Sequence, residues 1–236
     1  MQPATAHISP FSLAPGIDAA RLHRNDNMTA IPNQALPSDL QRITTIGDSV
    51  FAVALTLLAS GIRVPASLSG KSLEVSDLQP LLLDMGAVVM SFCVASVFWL
   101  SHWVHLRKAL RSTMPFLISD LAVLLCIILL PLSTRVLSAG PLSTVSAAIY
   151  SANLLAASLA LMNFRRQALT LSVPSGEAVP TTRAPRFLAS VYSLTVHGLA
   201  LVAAFFNPWI SLALWICAFL TPLIERFTNR LNAGDD

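Results

Sequence analysis

From Ile43 onward the chain alternates long apolar runs with short polar joints. A bilayer-spanning helix needs about 20 mostly apolar residues. The runs that meet this length are Ile43 to Ile62, Leu81 to Val104, Phe116 to Leu137, and Val145 to Phe164. A fifth run, Phe187 to Ile224, would measure about 57 Å as a single helix, nearly twice the hydrocarbon thickness. The Asn207-Pro208 pair inside it is a turn signal, so the run divides into a fifth and a sixth span. Pro131 falls near the far end of the third span. The joints are too short for a soluble domain; the longest, Thr170 to Arg186, holds Pro174, Pro180 and Pro185 and reads as a surface loop. The expected fold is all-α: a polytopic membrane protein of six transmembrane helices over residues 39–228.

Residues 1–38 are different material. They carry Pro3, Pro10, Pro15, Pro32 and Pro37 and no sustained apolar stretch, and they lack the basic start and apolar core of a secretory signal. They are expected to form a disordered cytoplasmic tail. Residues 229–236 are expected to form a second, short cytoplasmic tail.

Composition agrees with the spans. Among 236 residues, 54% are hydrophobic and 11% charged, with a mean hydropathy of +0.66. Soluble domains average about 25% charged residues. The net charge of +3 and pI near 9.1 do not indicate nucleic acid, because the basic residues sit between apolar runs and form no stripe. Arg21, Arg24, Arg42, Arg107, Lys108, Arg111, Arg165, Arg166, Arg183, Arg186, Arg226 and Arg230 collect on one side of the six-span topology. Only Arg63, Lys71 and Arg135 fall on the other. The positive-inside rule then puts both termini in the cytoplasm. Cys93, Cys126 and Cys217 all lie inside apolar runs with no CxxC pair, which argues against a disulfide framework or a zinc site. No metal site and no resident cofactor is expected.

Ionisable groups inside a span are costly and need a partner or a task. Asp48, His102, Asp120 and His197 are the candidates, with Tyr150 and Asn153 adding uncharged polar groups on one face of the fourth span. Asp120 follows Ser119 near the interface and could meet water or cap a helix start. Arg42 and Asp48 stand about 120° apart around the first helix, so they do not pair with each other. His102 ends the second span at the depth where the first begins, which makes it a plausible partner for Asp48. Along the first span, Ser49, Val53, Thr56, Leu57 and Ser60 share a face that mixes hydroxyls with aliphatic side chains. Such a face fits two roles: helix packing through small residues, or a pore wall whose hydroxyls meet hydrated ions and whose aliphatic rings constrict the path.

The segment Arg42-Ile-Thr-Thr-Ile-Gly-Asp48 with the Ser-Val-Phe-Ala-Val-Ala-Leu-Thr-Leu-Leu that follows resembles the first helix of the transmembrane protein 175 family, bacterial and lysosomal potassium channels with an R-x-x-x-F-S-D motif. Phe98-Trp99-Leu-Ser-His102, Leu130-Pro131-Leu-Ser-Thr134, Tyr150-x-x-Asn153-Leu and Phe206-Asn-Pro208-Trp209 resemble later family motifs in the right order. The resemblance covers nearly everything from Leu40 to Phe227. It implies a homotetramer in the cell membrane that passes monovalent cations, potassium among them, along a central axis lined by the first helix. It places the constriction on Val53, continues the lining through Thr56, Leu57 and Ser60, and assigns Arg42, Asp48, Trp99 and His102 to a structural polar network. The chain departs from the pattern at Ile46 and Gly47, where the motif has Phe and Ser, and at Trp103, where a second His often stands. Val53 is smaller than the isoleucine of the family constriction, which implies a wider or wetter pore.

Two other classes compete with a channel. A proton-coupled secondary transporter would use Asp48, Asp120 and His197, but no second copy of the Arg-to-Asp motif marks a repeated half. An enzyme is not expected: the chain has no G-x-S-x-G, H-E-x-x-H or complete phosphate-loop G-x-x-x-x-G-K-[ST] motif, and no catalytic residue is assigned.

Overall fold

The computed structural model describes residues 37–62, 75–174 and 184–220. The expected tails, Arg63, Lys71 and Arg183, and the end of the sixth span with Arg226 and Arg230 lie outside the described residues. Among the described residues six α-helices follow one another: α1 Ser38–Ala59, α2 Val75–Leu106, α3 Met114–Ser138, α4 Thr144–Thr170, α5 Ala184–Phe206 and α6 Pro208–Cys217. A 3-10 turn, Ala218–Leu220, continues α6. Among the described residues there is no strand. Four of these helices have spans long and apolar enough to cross a membrane: Ser38–Ala59, Asp84–Leu106, Met114–Ser138 and Thr144–Thr170.

The helices begin and end where local chemistry directs. Ser143 caps α4 by accepting from the Ser146 backbone N–H, and the Ser146 hydroxyl accepts from the Ser143 N–H, a reciprocal capping box. The break between α5 and α6 falls at Asn207, whose side chain accepts from the Trp209 N–H while Pro208 opens α6. The turn signal therefore breaks the long run as its sequence suggests. Tyr192 donates to the Cys217 carbonyl (2.8 Å) and Ser211 to the Ala200 carbonyl (2.7 Å), so α5 and α6 run antiparallel.

In α1 the buried residues are Leu40, Ile43, Gly47, Phe51, Ala54 and Leu58, steps of three and four that make one stripe. α4 is the central element, packing against α2, α3, α5 and α6. Its buried face is rich in small residues, including Ser146, Ala147, Ser151, Ala157 and Ser158, which let neighbouring backbones approach closely in a setting where lipid removes the hydrophobic drive for association. Large side chains fill the remaining space: Phe51, Phe116, Tyr150, Phe164 and Trp215 are fully buried. Pro131 lies inside α3 and leaves the Ile127 carbonyl without its helical donor. Asn153 on α4 donates to the neighbouring Cys126 carbonyl (3.2 Å) and to Ser133 (3.3 Å), so polar groups cluster at this interruption.

Candidate pore helix and polar network

The face of α1 opposite its buried stripe is exposed among the described residues, touched at its far end by Arg135 of α3, which bonds Ser60. Ile46, Val53 and Leu57 are 56%, 57% and 47% exposed, and Ser49, Thr56 and Ser60 are exposed beside them. The hydroxyls on this face satisfy themselves on the helix: Thr45 on Gln41 O, Ser49 on Thr45 O, Thr56 on Val53 O and Ser60 on Leu57 O, all at 2.7–2.9 Å. The Thr45, Ser49 and Thr56 oxygens keep lone pairs for a visiting partner, while Ser60 Oγ accepts from Arg135. The exposed face of α3 is a useful contrast. It presents Met114, Ile118, Leu121, Leu125, Ile128, Leu129 and Leu132, with no hydroxyl among them. A surface meeting lipid has that uniform apolar character. The α1 surface does not.

At the N-terminal end of α1 the polar residues separate into two arrangements. Asp48 is exposed, and its Oδ1 accepts from the Trp99 indole N–H at 2.9 Å. Arg42 is exposed near that end of the helix. His102 takes a different carboxylate: its Nε2 lies 2.5 Å from Asp120 Oδ1, with both residues 3% exposed. The expected His102 partner, Asp48, is thus replaced by Asp120. The reason is rotational. Gly47, one residue before Asp48, faces the His102 ring so closely that a Cβ there would sit 3.3 Å from Cε1. Asp48 is turned about 100° further round α1, toward Trp99. The His102 ring stacks on Phe164 (4.6 Å between centroids), which stacks on Phe116 (5.0 Å), and Phe51 approaches from α1 at 5.8 Å. One cluster therefore ties α1, α2, α3 and α4. Asp120 is no solvated cap. The α2–α3 hairpin was the signal that could have found this pair, since it brings the end of one span level with the start of the next.

Further polar contacts hold the interior. Ser91 lies between the Tyr150 hydroxyl (3.0 Å) and Thr134 Oγ1 (2.9 Å). His197 Nδ1 meets Ser158 Oγ at 2.8 Å, and its ring stacks against Phe98. Arg165 is buried; it donates to Ser190 Oγ at 2.7 Å and also to Ser101 Oγ. Trp215 donates to Ser151 Oγ at 3.1 Å. Sequence reading missed Ser91, Ser101 and Arg165, because a serine in an apolar run or an arginine at a span end gives no distinctive pattern. Asp48, Asp120 and His197, the three groups a proton-coupled carrier would use, bond to three different partners and do not form one site. Among the described residues no group of three His, Cys, Asp or Glu side chains could hold a metal ion.

A bundle of helices, four of them long and apolar enough to cross a bilayer, defines a polytopic membrane protein. A sequence profile of the endosomal/lysosomal potassium channel TMEM175 matches residues 42–131. A potassium channel of Streptomyces collinus is 32% identical over an alignment of 179 residues that covers 69% of this chain and 83% of that protein. The chain belongs to the TMEM175 family. Its fold is similar to the crystal structure of a lysosomal potassium-selective channel TMEM175 homolog from Chamaesiphon minutus, with a TM-score of 0.67 and 23% identity over 80% of this chain and 99% of that one.

Proposed function

We propose that the chain is a subunit of a potassium-permeable channel that conducts passively along the axis of a homotetramer, with α1 of each subunit lining the path. The observation that carries this reading is the exposed face of α1, which mixes hydroxyls with Val53 and Leu57 while the exposed face of α3 is apolar from Met114 to Leu132. One α1 per subunit cannot enclose a symmetric path, so assembly about an axis belongs to the reading. Val53 forms the constriction, Thr56, Leu57 and Ser60 extend the lining, and Arg42, Asp48, Trp99 and His102 steady the cytoplasmic end of the helix.

Each subunit has six spans, α5 and α6 belonging to the fifth and sixth, and both termini face the cytoplasm of a bacterial plasma membrane. Exposed Arg107, Arg111 and Arg166 stand near the same end of the bundle as Arg42, whereas Arg135 stands at the other, as the positive-inside rule requires. Arg107 also lies over the Trp103 ring (4.5 Å), an aromatic-basic pairing suited to the membrane interface.

A hydrophobic ring restricts flow by shedding water. Replacing it with an amide keeps water in place. Val53→Asn in reconstituted liposomes should raise potassium flux several-fold, on the order of 1 kcal/mol off the barrier to passage. Flux unchanged in rate and in potassium-to-sodium ratio would remove Val53 from the path.

A further inference from the structure

The last turn of α1 is held by a residue from another helix. Arg135, in the last turn of α3, donates from its NH2 nitrogen to Ser60 Oγ at 2.7 Å and to the Ser60 carbonyl at 3.3 Å. Its stem packs against the backbone just beyond: a Cβ on Gly61 would lie 3.3 Å from Arg135 Cγ and 3.6 Å from its Nε. Ser60 is the C-cap of α1. Helix carbonyls there carry about half a negative charge, and a bare end of that sign would draw cations. The guanidinium covers it. Arg135 is itself exposed, so its charge reaches solvent.

The position matters because of the face it occupies. Ser60 follows Val53 by seven residues, only about 20° away around the helix and about 10 Å along it. A guanidinium bonded to Ser60 Oγ therefore stands over the same stripe that carries Val53, Thr56 and Leu57. A guanidinium stays charged at any physiological pH.

We propose that Arg135 is a charge-setting residue at the non-cytoplasmic mouth, where its guanidinium caps α1 and opposes cations approaching from that side. The proposal rests on the reading of α1 as the pore wall. In an assembly, each subunit adds one such charge, and together they lower the local cation concentration at the mouth. The effect is screened by salt. The Debye length is about 30 Å at 10 mM and about 3 Å at 1 M, so the charges act on the path in dilute salt and fade in concentrated salt.

The experiment compares full-length wild type, Arg135→Gln and Arg135→Lys in planar bilayers with symmetric potassium chloride. At about 10 mM, Arg135→Gln should conduct cations from this mouth at least roughly twofold better than wild type, and the two should converge at about 1 M. Arg135→Lys keeps the charge while losing the guanidinium geometry, and it should match wild type at both concentrations. A Gln effect of equal size at both salts, or a Lys variant that behaves like Gln, would overturn the proposal, since either outcome marks a mechanical clamp. If Arg135→Gln fails to assemble, wild type decides: between about 10 and 100 mM its conductance should rise more steeply than salt concentration, and a shallower rise refutes a positive mouth. Val53→Asn is recorded alongside. If it alters conduction and Arg135→Gln does not, only the mouth assignment fails; if neither does, the pore reading fails with it.

Discussion

Removing the Asp120 carboxylate should loosen the end of the bundle where α2 meets α3. In the native chain Asp120 Oδ1 sits 2.5 Å from His102 Nε2, and neither residue is more than 3% exposed. Asp120→Ala leaves the imidazole facing a cavity with no acceptor. A hydrogen bond to a charged group contributes about 1.5–3 kcal/mol, and a buried polar group left without its partner costs about 1–3 kcal/mol. We take about 3 kcal/mol, the top of both ranges, because both groups are buried; His102 keeps its stack on Phe164 at 4.6 Å. For a chain of this size each kcal/mol shifts Tm by about 2–4 °C, so the expected drop is roughly 6–12 °C. Thermal unfolding of the purified protein in detergent, followed by fluorescence size-exclusion, reads it directly. Replacing both partners by apolar groups of similar shape is often nearly neutral. The double variant His102→Phe, Asp120→Leu should therefore recover most of the loss, with the introduced phenyl ring taking the imidazole's place on Phe164. A single-variant drop below about 2 °C, or a double variant that loses the sum of the two singles, would refute the coupling.

Gly47→Val should destabilise by about 1–3 kcal/mol, since its side chain would press on a His102 ring already fixed by Asp120 and Phe164. Gly86→Ala is the control: nothing lies within 4 Å of its added Cβ, so helix propensity alone should stabilise by up to about 1 kcal/mol, and equal Tm shifts at the two glycines would contradict the packing. Ser91→Ala removes the partner of the fully buried Tyr150 hydroxyl and should cost about 1–3 kcal/mol in the same unfolding assay. Adding Tyr150→Phe should return most of that loss, and no recovery would mean the hydroxyl finds another acceptor.

Much of this architecture was legible before any coordinates. Length and hydropathy locate α1 to α4 to within several residues, because a membrane demands about 20 apolar residues per crossing and little else satisfies that demand. The α5–α6 break follows from Asn207-Pro208, a local signal with a local cause. The two faces of α1 also follow from period alone, since Leu40, Ile43, Gly47, Phe51, Ala54 and Leu58 fall on one side. Partner choice did not follow. Whether His102 meets Asp48 or Asp120 depends on a rotation of about 100° around α1, and on the close approach that Gly47 permits. Spacing along one helix carries no information about that rotation. Ser91, Ser101 and Arg165 were invisible for a related reason: a hydroxyl in a span is ordinary until the residue opposite it is known. Arg135 was read only as one of the few basic residues on the non-cytoplasmic side, and its hold on Ser60 needed the α1–α3 packing.

If α1 lines the path, water and ions run along its hydroxyl face while α3 turns its outer face to lipid. Cysteine accessibility tests it most directly. In a background with Cys93, Cys126 and Cys217 replaced, single cysteines are placed at Thr56 and Ser60 on α1, and at Leu121 and Leu125 on α3. A charged, membrane-impermeant thiol reagent should react at the α1 positions and change the potassium current, and leave the α3 positions unmodified. Reaction at Leu121 and Leu125 with silence at Thr56 and Ser60 would move the path from α1 to α3.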